Sequence, residues 1–340
     1  MSNEKFTIAV DAMGGDFAPS SIVEGAMLAV SENPGRMNIV LVGDEQSIRG
    51  CSPGINGYAD AVTIQHASQI IGMNESPVDS LKQKPKSSIS VTSNLLKEKK
   101  VDAIFSAGNT GAHMAASLFS AGRTKGVSRP TIGTFYPRIN GPGFLLDIGA
   151  NTDCKPHHLF QFGIMGSILA KYILEIDSPR VGLLNIGEEP LKGNAATIEA
   201  HKLFTRSSLN FIGNVEGGDI FTDAADVIVC DGFVGNILLK LFETYGLTVE
   251  QGFRKNLRKS ITERLGHTLL QSAMKRFKEF FNYENHGGVP LLGVNGVSII
   301  GHGSSSPAAV KSAIHTAKAV FENKIPEQIH SVLKDYKEKH

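Results

Sequence analysis

The sequence has few cysteines and no excess of charge of either sign. Only three of its 340 residues are cysteine, and Cys51, Cys154 and Cys230 have neither C-x-x-C spacing nor histidines at zinc-finger spacing. This scarcity argues against a disulfide framework or a structural zinc site, and it favours the reducing cytoplasm as the location. The formal net charge of +1 gives no indication of nucleic acid as a partner.

Long hydrophobic runs are also missing. No stretch approaches the roughly 18 apolar residues that a membrane-spanning helix needs, and the N-terminus MSNEKFTIAV lacks the apolar core of a signal peptide. The sequence therefore predicts neither an integral membrane protein nor one exported by a signal peptide, and binding to a membrane surface stays open. Hydrophobic residues at 41% and charged residues at 20% are typical of a folded globular protein.

Three common active-site motifs do not occur. The sequence has no G-x-x-x-x-G-K-[ST], no G-x-G-x-x-G after a strand and no G-x-S-x-G, which disfavours a P-loop nucleotidase, a dinucleotide-binding fold and a serine hydrolase. Asp153, Cys154, His157 and His158 form the only cluster of metal-ligand residue types. Adjacent histidines rarely face one ion on a helix, so we expect surface histidines and neither a metal nor a cofactor.

The pattern that does repeat is a short β-branched run, then a polar loop containing glycine, then a helical segment. This alternation predicts a mostly parallel sheet with helices on both faces, a three-layer α/β/α fold. The predicted strands are Thr7–Val10, Asn38–Val42, Thr63–Gln65, Ala103–Ser106, Thr131–Tyr136, Phe144–Ile148, Val181–Asn185, Asn210–Ile212 and Val227–Cys230.

Residues 1–330 are predicted to form one domain, followed by a solvated tail over residues 331–340. Within the domain, residues 243–288 have the pattern of a helical arm, with basic residues beside an apolar face and Phe277, Phe280 and Phe281 at one edge. Such a segment suits both burial in a homodimer and contact with an anionic membrane surface. The two interpretations are compatible.

Polar loops follow the predicted strands, and ligands of open α/β sheets bind outside the carboxyl ends of strands. Two of these loops begin a helix: SAGNTGA presents Asn109 and Thr110, and DGFVGN presents Asn236. Both positions suit an anion, with ordinary helix capping as the alternative. The loop GHGSS adds His302 and Ser304 as further donors.

The loop GEEPLKGN, residues 187–194, contains one lysine directly after a predicted buried strand. A single fixed cation among neutral donors suits a phosphate group or a developing oxyanion. The alternative is a surface lysine in a mobile loop. Lys192 is therefore the leading candidate for an anion-binding side chain.

Seven segments, taken in order, resemble the PlsX family of bacterial phosphate acyltransferases: IAVDAMGGDFAP, SAGNTGA, DIGAN, NIGEE…KGN, NVEGGD, VCDGFVGN and LLGVNG…GHGSS. The resemblance extends from about Phe6 to Phe321. It implies a fold similar to those of phosphotransacetylases and isocitrate-type dehydrogenases, a homodimer, and peripheral association with the inner face of the cell membrane.

The resemblance also implies a reaction. A long-chain acyl group moves from acyl carrier protein to inorganic phosphate, and the acyl phosphate then serves glycerol 3-phosphate acyltransferase, a downstream partner, in phospholipid synthesis. It implies Lys192 and Asn236 as the catalytic pair. Loop position adds the other substrate-binding candidates: Asn109, Thr110, Asn151, Asn194, Asp231, His302 and Ser304.

Three alternatives remain open from the sequence. A short-chain phosphotransacetylase using acyl-coenzyme A would have the same broad fold, although the basic arm and its aromatic residues favour a long-chain product. A nicotinamide-dependent, metal-assisted dehydrogenase is more distant. The non-enzyme alternative is a membrane-recruited scaffold for lipid synthesis in which the arm is the functional part.

Overall fold

A computed structural model of the chain describes residues 5–51, 57–256, 270, 272 and 287–339. The chain divides into two compact units. Unit 1 consists of residues 1–133, 171–175 and 286–340, and unit 2 of residues 134–170 and 176–285. The domain predicted over residues 1–330 therefore contains two separately packed parts, and its outer boundary stays a prediction.

Strands and helices alternate along most of the chain, as the sequence predicts. The strands are β1 Phe6–Asp11, β2 Met37–Gly43, β3 Val62–His66, β4 Ala103–Ser106, β5 Thr131–Tyr136, β6 Gly143–Leu146, β7 Val181–Leu184, β8 Phe211–Val215, β9 Val227–Val229, β10 Val289–Leu292 and β11 Val297–Ile300. The helices are α1 Ser20–Glu32, α2 Glu45–Cys51, α3 Pro77–Gln83, α4 Ser88–Lys97, α5 Thr110–Ala121, α6 Pro156–Ile173, α7 Ala195–Thr205, α8 Gly232–Asn256, α9 Pro307–Glu322 and α10 Ile325–Lys339.

The sheet of unit 1 has the strand order β3-β2-β1-β4-β11-β10, with the start of β5 beside β10. All neighbours are parallel except at β10, which is antiparallel to both β11 and β5. The pairings of Ile8 with Ile39 and with Ala103 set the register at the centre of this sheet. Because β1, β4 and β11 are parallel neighbours, the loops after them leave the same edge of the sheet.

Helices cover both faces of this sheet. Ala9 of β1 and Ile104 of β4 cluster with Leu96 of α4 on one face. Side chains alternate along a strand, so Phe6 points to the opposite face, where its ring lies 5.5 Å from that of Phe321 in α9. Burial on both faces is the reason that these strands are almost continuously apolar.

Unit 2 contains four parallel strands in the order β6-β9-β7-β8. On one face, α6 approaches so closely that a Cβ atom at Gly166 would lie 2.9 Å from Leu146 Cδ1. Helix α8 begins directly after β9, and a Cβ atom at Gly235 would overlap the carbonyl oxygen of Asp147. Both close approaches require glycine and hold the helices against the strand ends.

Most sequence predictions of structure hold, and the exceptions lie at segment ends. All nine predicted strands are present, with bounds that differ by up to three residues, and α8 begins at Gly232, so most of the DGFVGN segment predicted as a loop belongs to the helix. The solvated tail predicted for residues 331–340 is wrong over its described part, because residues 331–339 continue α10 and Leu333 is buried. Apart from the end of α8 and isolated positions, the predicted arm lies outside the described residues. No helix within the described part of the chain is long and apolar enough to cross a membrane.

Candidate active site

In unit 2, three neighbouring strand ends carry most of the predicted site residues. Strands β6, β9 and β7 are adjacent and parallel, so the loops after them leave one edge of the sheet. The β6 loop carries Asn151, the β9 loop leads through Asp231 into Asn236 of α8, and the β7 loop carries Lys192 and Asn194. The topology therefore collects five of the nine candidates at one edge of the unit 2 sheet.

The Lys192 loop is closed on itself by backbone and amide hydrogen bonds. Asn185, the first residue after β7, donates from Nδ2 to the Lys192 carbonyl oxygen at 2.9 Å. The Lys192 N–H donates to the Glu189 carbonyl oxygen at 3.0 Å. Gly193 follows with φ of +100°, a conformation that glycine adopts without strain. The backbone of Lys192 is thus fixed on both sides, while its side chain is exposed.

Asn194 caps the next helix. Its side-chain oxygen accepts from the Thr197 N–H at 2.9 Å, which satisfies one of the free donors at the start of α7. Neither the Nδ2 group of Asn194 nor the Lys192 ammonium has a hydrogen-bond partner among the described residues. Both donors are therefore available to a ligand.

Asn236 occupies the second turn of α8 and is exposed. The helix is capped by Asp231, whose Oδ1 accepts from the Val234 N–H at 2.8 Å, so capping is not the function of Asn236. A Cβ atom at Gly149 would lie 3.9 Å from Asn236 Cγ, so this side chain lies beside the turn after β6. Its amide has no hydrogen-bond partner within the described residues, and no hydrogen bond joins it to Lys192.

The turn after β6 already contains an anion of its own. The buried carboxylate of Asp147 accepts from the N–H groups of Gly149, Ala150 and Asn151 at 3.3, 3.1 and 2.7 Å, and from Asn151 Nδ2 at 2.8 Å. Asn151 in turn accepts from the Gly232 N–H at 2.7 Å through its carbonyl oxygen. The backbone donors of this turn are therefore occupied. The hydrogen bond from Gly232 to Asn151 joins the β6 loop to the start of α8.

Three carboxylates approach one another near the same strand ends. Oxygen atoms of Glu188, Glu216 and Asp219 lie within 4.8 Å of each other. Exposed acidic groups of this kind are common in proteins without a bound ion, and the cluster alone identifies no ligand. Within the loop of residues 187–194, Lys192 is the one cationic side chain, and the loop also carries the acidic residues Glu188 and Glu189.

The remaining candidates belong to unit 1, at the ends of β1, β4 and β11. Ser106 Oγ donates to Asp11 Oδ2 at 2.6 Å, and the Asp16 N–H donates to the Gly303 carbonyl oxygen at 2.7 Å. Burial raises the pKa of Asp11, and hydrogen bonds from Ser106, Ser88 and the backbone oppose that rise. These contacts hold the three loops together.

Asn109 has structural contacts on both sides of its amide. Its oxygen accepts from the Ala112 N–H at 3.0 Å and so caps α5, which leaves Thr110 as an exposed residue of the first turn and not the cap. Its Nδ2 group lies 3.0 to 3.1 Å from the carbonyl oxygens of Gly72, Met73 and Glu75. A contact between Asn109 and substrate stays a prediction, as it does for Thr110.

His302 and Ser304 contact each other. The Ser304 N–H donates to His302 Nδ1 at 3.2 Å, and the Ser304 hydroxyl lies 2.7 Å from the same nitrogen. These two residues therefore form one local unit in the loop after β11, and their role in substrate binding stays a prediction.

Four polar residues that organise the loops were not among the predicted site residues: Asp11, Asp147, Asn185 and Asn214. Asp11 ends β1, and Asp147 and Asn185 directly follow β6 and β7. A polar residue at the end of a predicted strand is the sequence feature that could have identified these three. Asn214 lies inside β8, whereas the sequence analysis ends the corresponding strand at Ile212 and places Asn214 at the start of the NVEGGD segment.

The family of the chain follows from its similarity to known sequences. Residues 6–328 match the profile of a family described as "Fatty acid synthesis protein". The chain belongs to this family. The family extends over both units and includes every residue of the candidate site.

Individual relatives carry a more specific name. A "Phosphate acyltransferase" of Pelotomaculum thermopropionicum is 47% identical over 324 residues, which cover 95% of this chain and 94% of the relative. A "Phosphate acyltransferase" of Nostoc punctiforme is 45% identical over 334 residues, with 97% of each chain covered. The resemblance inferred from the seven motifs is confirmed.

Solved structures confirm the fold class. A phosphotransacetylase from Streptococcus pyogenes superposes with a TM-score of 0.62 at 17% identity, covering 93% of this chain and 94% of that one. A branched-chain phosphotransacylase from Enterococcus faecalis gives 0.59 at 13% identity, covering 96% and 99%. At such low identity these likenesses concern the α/β fold alone.

Proposed function

We infer that the chain is an enzyme, a phosphate acyltransferase that transfers an acyl group to phosphate in phospholipid synthesis. The observation that carries this inference is the pair of unengaged donors, the Lys192 ammonium and the Asn236 amide, at the ends of adjacent parallel strands. These donors occur in a chain whose relatives are named for the same transfer.

We propose that phosphate attacks the thioester directly. A phosphate oxygen forms a bond to the carbonyl carbon, the carbonyl oxygen becomes an oxyanion, and the carbon–sulfur bond then breaks to release a thiolate. Phosphate is already anionic near neutral pH, so the protein mainly has to position it and stabilise the oxyanion. No covalent acyl-enzyme is needed.

In this mechanism Lys192 neutralises the phosphate or the oxyanion, and Asn236 donates a hydrogen bond to the same reacting centre. The fixed backbone of Lys192 supports this role, because it limits the positions that the side chain can give to its charge. Asn194 and Asn151 belong to the same strand ends and are proposed to bind substrate. Asp231 contributes by capping the helix that carries Asn236.

Lys192→Ala tests the assignment. We expect turnover to fall about 100-fold, as for loss of an oxyanion-hole donor, with the thermal unfolding temperature unchanged because the side chain is exposed. Release of the carrier thiol, with and without phosphate, is the measurement. Turnover equal to that of the unmodified enzyme would remove Lys192 from the mechanism.

We propose that acyl carrier protein is the acyl donor and that the transferred acyl group is long-chain. The rival donor is a short-chain acyl-coenzyme A, which the phosphotransacetylase-like fold would also accommodate. Comparing kcat/KM for palmitoyl-carrier protein and acetyl-coenzyme A separates the two. A preference for acetyl-coenzyme A would replace the proposed substrate and leave the reaction class intact.

We also propose a cytoplasmic homodimer that associates peripherally with an anionic membrane surface. The basic amphipathic sequence over residues 243–288 supports both contacts. Sedimentation measures the oligomeric state, and flotation with phosphatidylglycerol vesicles measures membrane binding. A monomer, or protein that stays at the bottom of the gradient, would contradict the corresponding proposal.

A further inference from the structure

We propose that Asn185 and Asn214 are positioning residues that hold Lys192 for catalysis, an inference that rests on the proposed function. Neither residue is a candidate for substrate contact, and both act on the loop between β7 and α7. Their side chains donate to backbone carbonyl groups on the two sides of a single short turn, Glu189–Lys192.

Asn185 closes the loop. Its Oδ1 accepts from the Ile186 N–H at 2.9 Å, while its Nδ2 donates across seven residues to the Lys192 carbonyl oxygen at 2.9 Å. The Asn185 N–H itself donates to the Val215 carbonyl oxygen at 2.9 Å, so the amide is anchored to the sheet. One side chain therefore ties the residue after the strand to Lys192, which stands at the far end of the loop.

Asn214 holds the middle of the loop from the neighbouring strand. It is 8% exposed, and its Nδ2 donates to the Glu189 carbonyl oxygen at 2.9 Å. That oxygen also accepts from the Lys192 N–H. Asn214 thus fixes the acceptor on which the Lys192 backbone rests.

The stem of Lys192 lies close to Gly187 on one side. A Cβ atom placed on Gly187 would lie 2.9 Å from Lys192 Cγ and 3.3 Å from its Cδ, so the methylene groups lie against the glycine. The backbone is held by hydrogen bonds and the stem lies against Gly187, so the ammonium extends from a fixed backbone position. A catalytic cation gains from such support, because a misplacement of about 1 Å can cost 100-fold in rate.

The test is a double-mutant cycle for Asn185→Asp and Asn214→Asp, each measured alone and combined with Lys192→Ala. Aspartate keeps the shape of asparagine but replaces the N–H donor with a negatively charged oxygen, which repels the carbonyl oxygen that the donor held. We expect each single variant to lower kcat/KM for phosphate about 10- to 50-fold. In the Lys192→Ala background the same changes should alter it less than about twofold, because residues that act through Lys192 have nothing left to position.

Asn210→Asp is the matched control. Asn210 precedes β8, at the opposite end of the strand from the site, and its Nδ2 donates to the Ser178 carbonyl oxygen at 3.0 Å. We expect its kcat/KM to stay within twofold of the unmodified enzyme. Thermal unfolding of every variant reports any general loss of structure.

The outcomes distinguish the positioning role of Asn185 and Asn214 from the catalytic role of Lys192. Equal losses with and without Lys192 would overturn the positioning role, since the asparagines would then act independently of the lysine. If Lys192→Ala alone leaves kcat/KM unchanged, the proposed function of Lys192 fails and the positioning role fails with it. Variants that are too slow for steady-state measurement, such as those with Lys192→Ala, are compared in single-turnover reactions at high enzyme concentration.

Discussion

At the scale of single residues, the polar loop side chains of the two units divide into those with internal partners and those without. Asp147, Asp231 and Asn109 use their oxygen atoms to satisfy backbone N–H groups in their own turns. The Lys192 ammonium and the Asn236 amide have no such partner among the described residues. The residues of the first group stabilise their own turns, whereas Lys192 and Asn236 keep donors that a ligand can use.

Gly193→Ala tests whether the turn after Lys192 must keep its conformation. Its φ of +100° disfavours any residue with a Cβ atom, and that atom would overlap the side chains of Asn185 and Thr197. We expect at least a tenfold loss of kcat/KM for phosphate with little change in the unfolding temperature, because the loop is exposed.

Gly217→Ala serves as the control for this substitution. Gly217 lies in the loop after β8, and a Cβ atom there would have no atom within 4 Å. Its activity should match that of the unmodified enzyme. Full activity of Gly193→Ala would mean that the turn can change shape without moving the lysine.

At the scale of elements, the packing of α5 on β11 contains a buried polar chain. His113 Nε2 lies 2.9 Å from Ser298 Oγ, which lies 2.9 Å from Ser117 Oγ, and Ser117 donates to the His113 carbonyl oxygen at 2.8 Å. Since Ser117 donates to that carbonyl, it accepts from Ser298, and Ser298 accepts from the imidazole. The direction of the chain therefore requires a proton on Nε2, as in a neutral imidazole with that tautomer.

This histidine makes stability depend on pH. Burial lowers the pKa of His113 from 6.5 to about 4, with a hydrogen bond to the backbone of Ile299 opposing the fall. The folded protein thus keeps the ring neutral while the unfolded chain takes up a proton below about pH 6.5. The stabilisation is complete above pH 6.5 and is lost as the pH falls toward 4, by about 3 kcal/mol in total.

Chemical denaturation of His113→Gln between pH 7 and pH 4 measures this contribution. We expect the difference in unfolding free energy between the unmodified protein and the variant to shrink as the pH falls, because the variant has no ring to protonate. A difference that stays constant between pH 7 and pH 4 would contradict the assignment.

The sequence could predict the strands because their apolar, β-branched runs are buried on both faces of a sheet. It could also predict that Lys192 and Asn236 follow strands, since glycine loops end those runs. It could not predict that the Asn109 amide is occupied, because its acceptors lie 34 to 37 residues away in the chain. Nor could it predict that Asn214 supports the Lys192 loop from inside a strand, because that contact depends on the pairing of β7 with β8.

At the scale of the whole molecule, the candidate residues form two sets, one in each unit, and each set has its own network of hydrogen bonds. In unit 1 the network joins the loops after β1, β4 and β11. In unit 2 it joins the loop after β6 to the start of α8 and, separately, fixes Lys192. The central claim is that the preorganised loops of unit 2, which carry Lys192 and Asn236, allow phosphate to take the acyl group directly, without a covalent enzyme intermediate.

Intact-protein mass spectrometry combined with product analysis tests that claim most directly. The enzyme is incubated with palmitoyl-carrier protein first without phosphate and then with it. The account predicts an unchanged enzyme mass in the first step and, in the second, palmitoyl phosphate formed together with free carrier thiol. An enzyme that gains the mass of a palmitoyl group before phosphate is added, and loses it afterwards, would contradict direct transfer.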